Sequence, residues 1–275
     1  EQQLLDTGYV LQKQTAEESS THLAWLAKNL TENAKISVNG QTISVQQFDA
    51  LKQITTPNHF QIETELDLID LIWIGRPALP QQPIWQMRSV LNAQTRIEKI
   101  SAIRDALSTK NASAHFVSSV DDIAWITNCR GRDVEYNPVF LAHLYIDHSR
   151  TVLFIDDAKL SPELQANLEA DHIEIIAYAQ SAEFLKQIQN QVVLIDPAKV
   201  SILHAQAITL HNPVIQDINP STLFKSCKHP SEIAHIRTAM IKDGVALCHF
   251  FHWLDTALKN GESISELTID EKSTD

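Results

Sequence analysis

Glycine is scarce in this chain: six residues in 275 leave little material for the backbone cradles that grip phosphate, and no Walker loop occurs. A Ser/His/Asp order and a paired-cysteine signature are also missing. Cysteine is rare too. Cys129, Cys227 and Cys248 are an odd number at wide spacing, which fits reduced thiols packed as small buried hydrophobes better than a disulfide framework. No run approaches the roughly 18 uninterrupted apolar residues of a membrane span, and the first ten residues, EQQLLDTGYV, have neither a basic start nor an apolar signal region. Positive charge is in deficit: the net charge of −12 and the absence of a Lys/Arg cluster exclude nucleic-acid binding through a basic face. The expectation is therefore a cytoplasmic protein with no nucleic-acid and no membrane partner.

What is present is an ordinary globular mixture, 44% hydrophobic and 20% charged, and long enough for two domains. Runs rich in β-branched and aromatic residues predict strands at 9–12, 35–38, 114–118, 141–146, 151–155, 173–178 and 192–195. Helical patterns fall between them, near 20–30, 45–53, 65–73, 93–109, 161–169, 180–190 and 200–208. That alternation predicts an α/β fold. The proline-dense stretch GRPALPQQP (75–83) and the Asn-Pro pairs within 211–230 mark two boundaries, giving pieces at 1–83, 84–222 and 223–275. The third piece opens on one long helix over 231–258. Ser231 is its expected N-cap, and small or apolar residues from Ile233 through Phe251 to Leu258 define one face to be buried.

The densest polar chemistry is in 121–140, DDIAWITNCRGRDVEYNPVF, where Asn128, Arg130, Arg132, Asp133, Glu135 and Asn137 fall around Gly131 and before Pro138. Spacing leaves two readings open. In the structural one, Gly131 ends a helix over 121–128, Arg130 and Arg132 pair locally with Asp133 and Glu135, and a strand starts at Val139. In the other, the same residues form a site.

The stretch from Asp121 to Phe140 closely resembles the middle-domain segment of Xaa-Pro aminopeptidases, the aminopeptidase P branch of the creatinase and methionine-aminopeptidase superfamily. Two further segments resemble that family in the same order. IDLIWIGRPALP (69–80), with Trp73, Arg76, Pro77 and Pro80, is similar to the close of its first domain, and KSCKHPSEIAHIRTAMIKDGVALCHFFHWL (225–254) is similar to the helix that opens its catalytic domain.

This resemblance implies creatinase N-terminal-like domains, each a ribonuclease H-like mixed sheet flanked by helices. One would be partial (1–83) and one complete (84–222), followed by the first helix of a pita-bread catalytic domain (223–275). It implies a hydrolase that removes the N-terminal residue from peptides with proline at the second position, using two divalent metal ions, commonly manganese, and assembling as a homodimer when full length. The metal ligands of the family lie beyond the helix at 231–258. An Asp-Gly-Arg-Tyr segment whose arginine contacts peptide would precede this chain, so the chain is expected to be a fragment that binds no metal and is inactive alone. No residue here is then catalytic or metal-ligating; Asn128, Arg130, Asp133 and Asn137 are the candidates for a cleft-facing or interdomain corner. Two alternatives stand beside this: a prolidase or creatinase-like hydrolase, whose shorter members carry one N-terminal domain, and a non-catalytic binding or assembly module.

Other suggestive residues read as structure. His249 and His252 share a helix face without a third ligand, and His229 and His235 flank the helix start. Asp156 and Asp157 follow a strand and fit a turn. Asp270, Glu271 and Asp275 fit a solvated acidic tail. Trp25, Trp73, Trp85, Trp125 and Trp253 are scattered and are expected to bury helix faces.

Overall fold

A computed structural model of the chain describes residues 4–13, 21–57 and 59–274. Its centre is a six-stranded mixed sheet in the order β10-β9-β4-β6-β7-β8. The strands are β4 Ala114–Val117, β6 His143–Asp147, β7 Thr151–Ile155, β8 Glu174–Ala177, β9 Val193–Ile195 and β10 Val214–Gln216. Antiparallel pairing of β4 with β6 and of β6 with β7 lies between parallel pairs at both sides, β4 with β9 and β7 with β8.

Alternation along each strand supplies two cores. Leu144, Ile146, Leu153 and Ile155 face helices α4 (Arg96–Thr109), α5 (Val120–Thr127) and α6 (Pro162–Ala170). Phe116, Tyr145, Val152 and Phe154 face α2 (Val45–Thr55), α7 (Ser181–Gln187) and α8 (Ile202–Thr209). Every residue of β7 is buried, as expected of a strand covered on both faces. This is the expected ribonuclease H-like mixed sheet flanked by helices.

Before it come α1 (Thr21–Asn29), a parallel pair of β1 (Lys35–Ser37) with β2 (Gln61–Glu63), and α3 (Leu68–Ile72). This first piece is docked on the sheet domain. Val45 and Phe48 enter the second core, Val45 N donates to Val200 O at 3.0 Å, and Ile202 N donates to Ile43 O at 3.0 Å. A Cβ on Gly40 would stand 2.7 Å from Thr64 O, so the close approach at that turn requires glycine. Residues 76–84 between the two pieces form neither helix nor strand.

Beyond the sheet, α9 (Pro220–Ser226) packs on α5, and α10 (Pro230–Lys259) and α11 (Glu266–Thr274) follow. The cap of α10 is His229, whose ring accepts from Ser231 N while Glu232 accepts from His229 N at 2.8 Å; Pro230 is its first residue. Ser231, the expected cap, is instead the second residue of the helix. The expected buried stripe of α10 faces solvent: Ile233, Ile236, Met240, Leu247, Phe251 and Leu258 are exposed, and Ala257 is the buried residue among those described in this helix.

Other expectations also change. Residues 9–12 have no regular structure, and the acidic tail is helical through Thr274, with Asp275 outside the described residues. Cys227 and Cys248 are exposed, and only Cys129 is the buried hydrophobe expected of all three. Trp25, Trp73 and Trp85 are also exposed, and Trp85 stands on a strand instead of a helix. Asp156 behaves as expected of a turn, accepting from Ala158 N at 3.0 Å.

Candidate functional site

The corner at 121–140 is built outward from α5. At its N-terminus Asp122 is buried and accepts from Ser119 Oγ and, at 3.0 Å, from Asn219 Nδ2, while Lys225 lies 3.0 Å from its other oxygen. Burial alone would raise the Asp122 carboxyl; the hydrogen bonds from Ser119, Asn219 and Lys225 outweigh it and hold the group below the usual carboxylate range. These contacts tie α5 to α9.

At the other end the helix is closed by Asn128, left-handed at φ 54°, and not by Gly131. Gly131 has a different reason to be glycine: a Cβ there would lie 2.7 Å from Phe140 Cβ and 3.0 Å from Val139 O. The chain then forms β5 (Cys129–Arg130), paired antiparallel with β3 (Trp85–Gln86). The strand expected at Val139 begins instead at His143, after 139–142 has run back past Gly131 and Asp133.

The local charge pairs expected here do not form. Arg130 Nη1 donates to Ala124 O at 2.7 Å, in the last turn of α5, and to Cys129 O at 2.8 Å, in the strand that follows. Arg132 stacks over the Trp85 ring, its guanidinium carbon 5.6 Å from the centroid. Asp133 is paired with Lys159, both side chains essentially inaccessible, and also accepts from Leu141 N at 2.7 Å. Its second oxygen has no hydrogen-bond partner among the described residues.

Lys99 completes the support: its Nζ donates to Trp125 O at 2.8 Å and to Asn128 Oδ1, and lies 4.2 Å from the Trp125 ring centroid. Burial, and secondarily the charge of Arg130, pushes this amine down to about 8. Asn128 in turn donates to Gln94 O at 2.9 Å.

Of the four candidate residues, then, Asn128, Arg130 and Asp133 point into the scaffold, and Asn137 alone stands at the surface. Asn137 closes the turn 134–137, its N donating to Val134 O at 3.3 Å. Beside that turn is an open recess of about 580 Å³ lined by Trp85, Gly131, Arg132, Asp133, Val134, Glu135, Tyr136, Asn137 and Pro138. Residue spacing identified the polar rim but missed Trp85, Tyr136, Lys99 and Lys159. Three of these, Trp85, Lys99 and Lys159, lie outside the 121–140 window by more than ten residues in sequence and carry no local pattern.

A second polar cluster lies at the end of the sheet. His204 is buried between Ser181 Oγ, 2.9 Å from its Nε2, and Ser201 Oγ, 2.8 Å from its Nδ1, and its ring centroid is 4.5 Å from that of His143. Burial holds His204 near 4, and burial with the neighbouring His204 holds His143 near 3, so both rings are neutral packing groups at neutral pH.

The described residues contain no group of three or more His, Cys, Asp or Glu side chains able to hold a metal ion. His249 and His252 lie exposed on α10 without further ligands. The described residues therefore do not supply the donor set that a metal pair requires. No helix among the described residues is long and apolar enough to cross a membrane.

The mixed sheet with helices on both faces and a corner braced by buried charges defines a mixed α/β domain of a recognisable class. The chain belongs to the Creatinase/Prolidase N-terminal domain family, whose model matches residues 75–232. It is 29% identical over 95% of its length to "Probable Xaa-Pro aminopeptidase P" of Laccaria bicolor, covering 42% of that protein. It is also 29% identical over 98% of its length to "Xaa-Pro aminopeptidase ApepP" of Drosophila melanogaster, covering 44% of it. Among solved structures, the X-prolyl aminopeptidase of Caenorhabditis elegans, described as a cytosolic enzyme with a di-nuclear active site, superposes with TM-score 0.86 at 22% identity. That match covers 97% of this chain and 45% of the other. The chain thus spans less than half the length of each of these three proteins.

Proposed function

We propose that this chain is the non-catalytic front of a cytoplasmic, metal-dependent Xaa-Pro aminopeptidase, an enzyme that removes the N-terminal residue from peptides with proline at the second position. The observation that carries the reading is the match of 95% of the chain to a protein named for that activity, three ordered segments included. In this reading 1–83 is the end of a first creatinase-like domain, 84–222 a second, and 223–275 the start of the catalytic domain. The pair of metals, manganese by family resemblance, and the dimer contacts belong to the longer protein.

The corner's share of the work is mechanical. Asn128, Arg130 and Asp133 hold the loop 131–140 rigid against α5 and the sheet, and Asn137 with the recess faces the cleft that peptide N-termini enter. A mispositioned wall costs substrate orientation without touching the reacting atoms.

The test is an Xaa-Pro-Xaa tripeptide assay with added manganese, run on the 275-residue protein and on a longer protein that continues past residue 275. Turnover is expected from the longer protein alone. Clear turnover by the 275-residue protein would remove the division of labour, and none from either would favour a binding or assembly module.

A further inference from the structure

The recess beside the corner contains a side chain that the fold does not need. In the turn 134–137 the third residue takes φ +59°, a conformation that suits glycine or asparagine, yet it is Tyr136. Holding a bulky residue there costs on the order of 1 kcal/mol. The ring is 79% exposed, so its burial among the described residues returns little. Across the recess Trp85 is 41% exposed, but it is fixed: its backbone pairs with Arg130 and the Arg132 guanidinium covers part of its ring. The floor between them is rigid, because Gly131 is in close contact with Phe140 and the buried Asp133–Lys159 pair anchors Leu141 N.

We propose that this recess is a groove for an extended, proline-containing peptide segment, with Trp85 and Tyr136 as its two aromatic ridges and Arg132 and Asn137 as its donors. The proposal deepens the aminopeptidase reading and rests on it for the origin of the peptide, the substrate chain that follows the scissile bond. A polyproline-type segment suits the recess on three counts. Its pyrrolidine faces pack on flat aromatic rings, and it arrives already stiff, so little entropy is lost. Its carbonyls have no internal partners and require donors, which the Arg132 guanidinium and the Asn137 amide supply at the rim. Arg132 forms no ion pair with any described residue, so its guanidinium, lying over the Trp85 ring, has no carboxylate partner and can take a peptide carbonyl or the C-terminal carboxylate of that segment. The recess, about 580 Å³, is also within the usual size of ligand sites, roughly 300 to 1,000 Å³.

The experiment is a nitrogen-15 NMR titration of the 275-residue protein with Ala-Pro-Pro-Pro-Pro-Ala and with a proline-free hexapeptide of the same charge. Shifts are expected at the Trp85 indole N–H and the Gly131 and Tyr136 amides, with the proline-free peptide about tenfold weaker. Tyr136→Gly is the decisive variant, since glycine accepts the positive φ and the thermal midpoint should hold or rise while affinity falls about tenfold. Arg132→Met, at an exposed position, gives a second loss of affinity without touching the turn. Equal binding of the two peptides, shifts confined elsewhere, or unchanged affinity in both variants would overturn the groove. The outcomes separate from those of the activity reading. Xaa-Pro turnover by the longer protein with no groove binding leaves the enzyme and removes the groove, and groove binding without turnover does the reverse.

Discussion

The strand β7, TVLFI, and the helix α10 are both rich in apolar side chains, yet all five residues of β7 are buried while α10 buries Ala257 and leaves Met240, Leu247 and Phe251 in solvent. The difference lies in what each element needs from its neighbours. A strand has no internal hydrogen bonds, so β7 exists only between β6 and β8, and the helices on both sheet faces cover it in the same act. A 30-residue helix with a capping box and proline at its first position satisfies its own backbone and persists whether or not its apolar stripe is covered. Amphipathic periodicity therefore identifies a face that favours a partner without telling where that partner is. Stability of the 275-residue chain should accordingly reside in the sheet domain.

The strongest challenge to that division is the buried pair beneath the corner. Lys159→Met leaves the Asp133 carboxylate enclosed without its counter-charge, and the expected loss is about 3 to 5 kcal/mol in urea unfolding of the chain. Adding Asp133→Leu should recover part of this, since two apolar groups can replace a buried pair, but not all, because Leu141 N then loses its acceptor. A loss below about 1 kcal/mol for Lys159→Met would mean that water reaches the pair and that the corner is not rigid.

That same pair explains why the site was only half legible in the sequence. Asp133 has Arg130 and Arg132 within three positions, and proximity favoured them as partners; the fold instead turns both arginines away and brings in Lys159 from the turn after β7. Which of several cations reaches a carboxylate is decided by the path of the chain over 139–155, and no local pattern records it. Gly131 shows a related limit. Its need for a missing Cβ was readable, but the cause is contact with Phe140 and not a helix end, where Asn128 serves. By contrast β7 was predicted at its observed bounds, 151–155, because a β-branched and aromatic run between turns admits one answer. The short strands β2, β3, β5 and β10, two or three residues each, are held by pairing partners distant in sequence and were not foreseen.

Acid should weaken the sheet domain by smaller steps. Burial holds His115 and His204 near 4 and His143 near 3, against about 6.5 in an unfolded chain. These folded values are depressed, so the unfolded state binds more protons below the unfolded value. The contribution to stability is complete above about pH 6.5 and is lost as pH falls through the folded values. About one unit below the unfolded value, each histidine should cost the fold about 1 kcal/mol. Urea midpoints measured from neutral pH down to about 4 should fall steadily, and His204→Asn should flatten part of that slope. A midpoint constant over this range would show that these rings are solvated and that the core around Phe116 is looser than its packing suggests.

The smallest effect is expected on α10, and its smallness is the point. Phe251→Ser removes a large apolar side chain that is 60% exposed, so unfolding free energy of the 275-residue chain should change by no more than about 0.5 kcal/mol. Leu153→Ala in β7, fully buried, should cost about 2 to 5 kcal/mol by the same measurement. Serine should also reduce any self-association seen by sedimentation, because the stripe from Ile233 to Leu258 is a contiguous apolar face. A loss of more than about 2 kcal/mol for Phe251→Ser would place this ring against a neighbour in solution, and the contrast between a self-covered strand and an uncovered helix would fail.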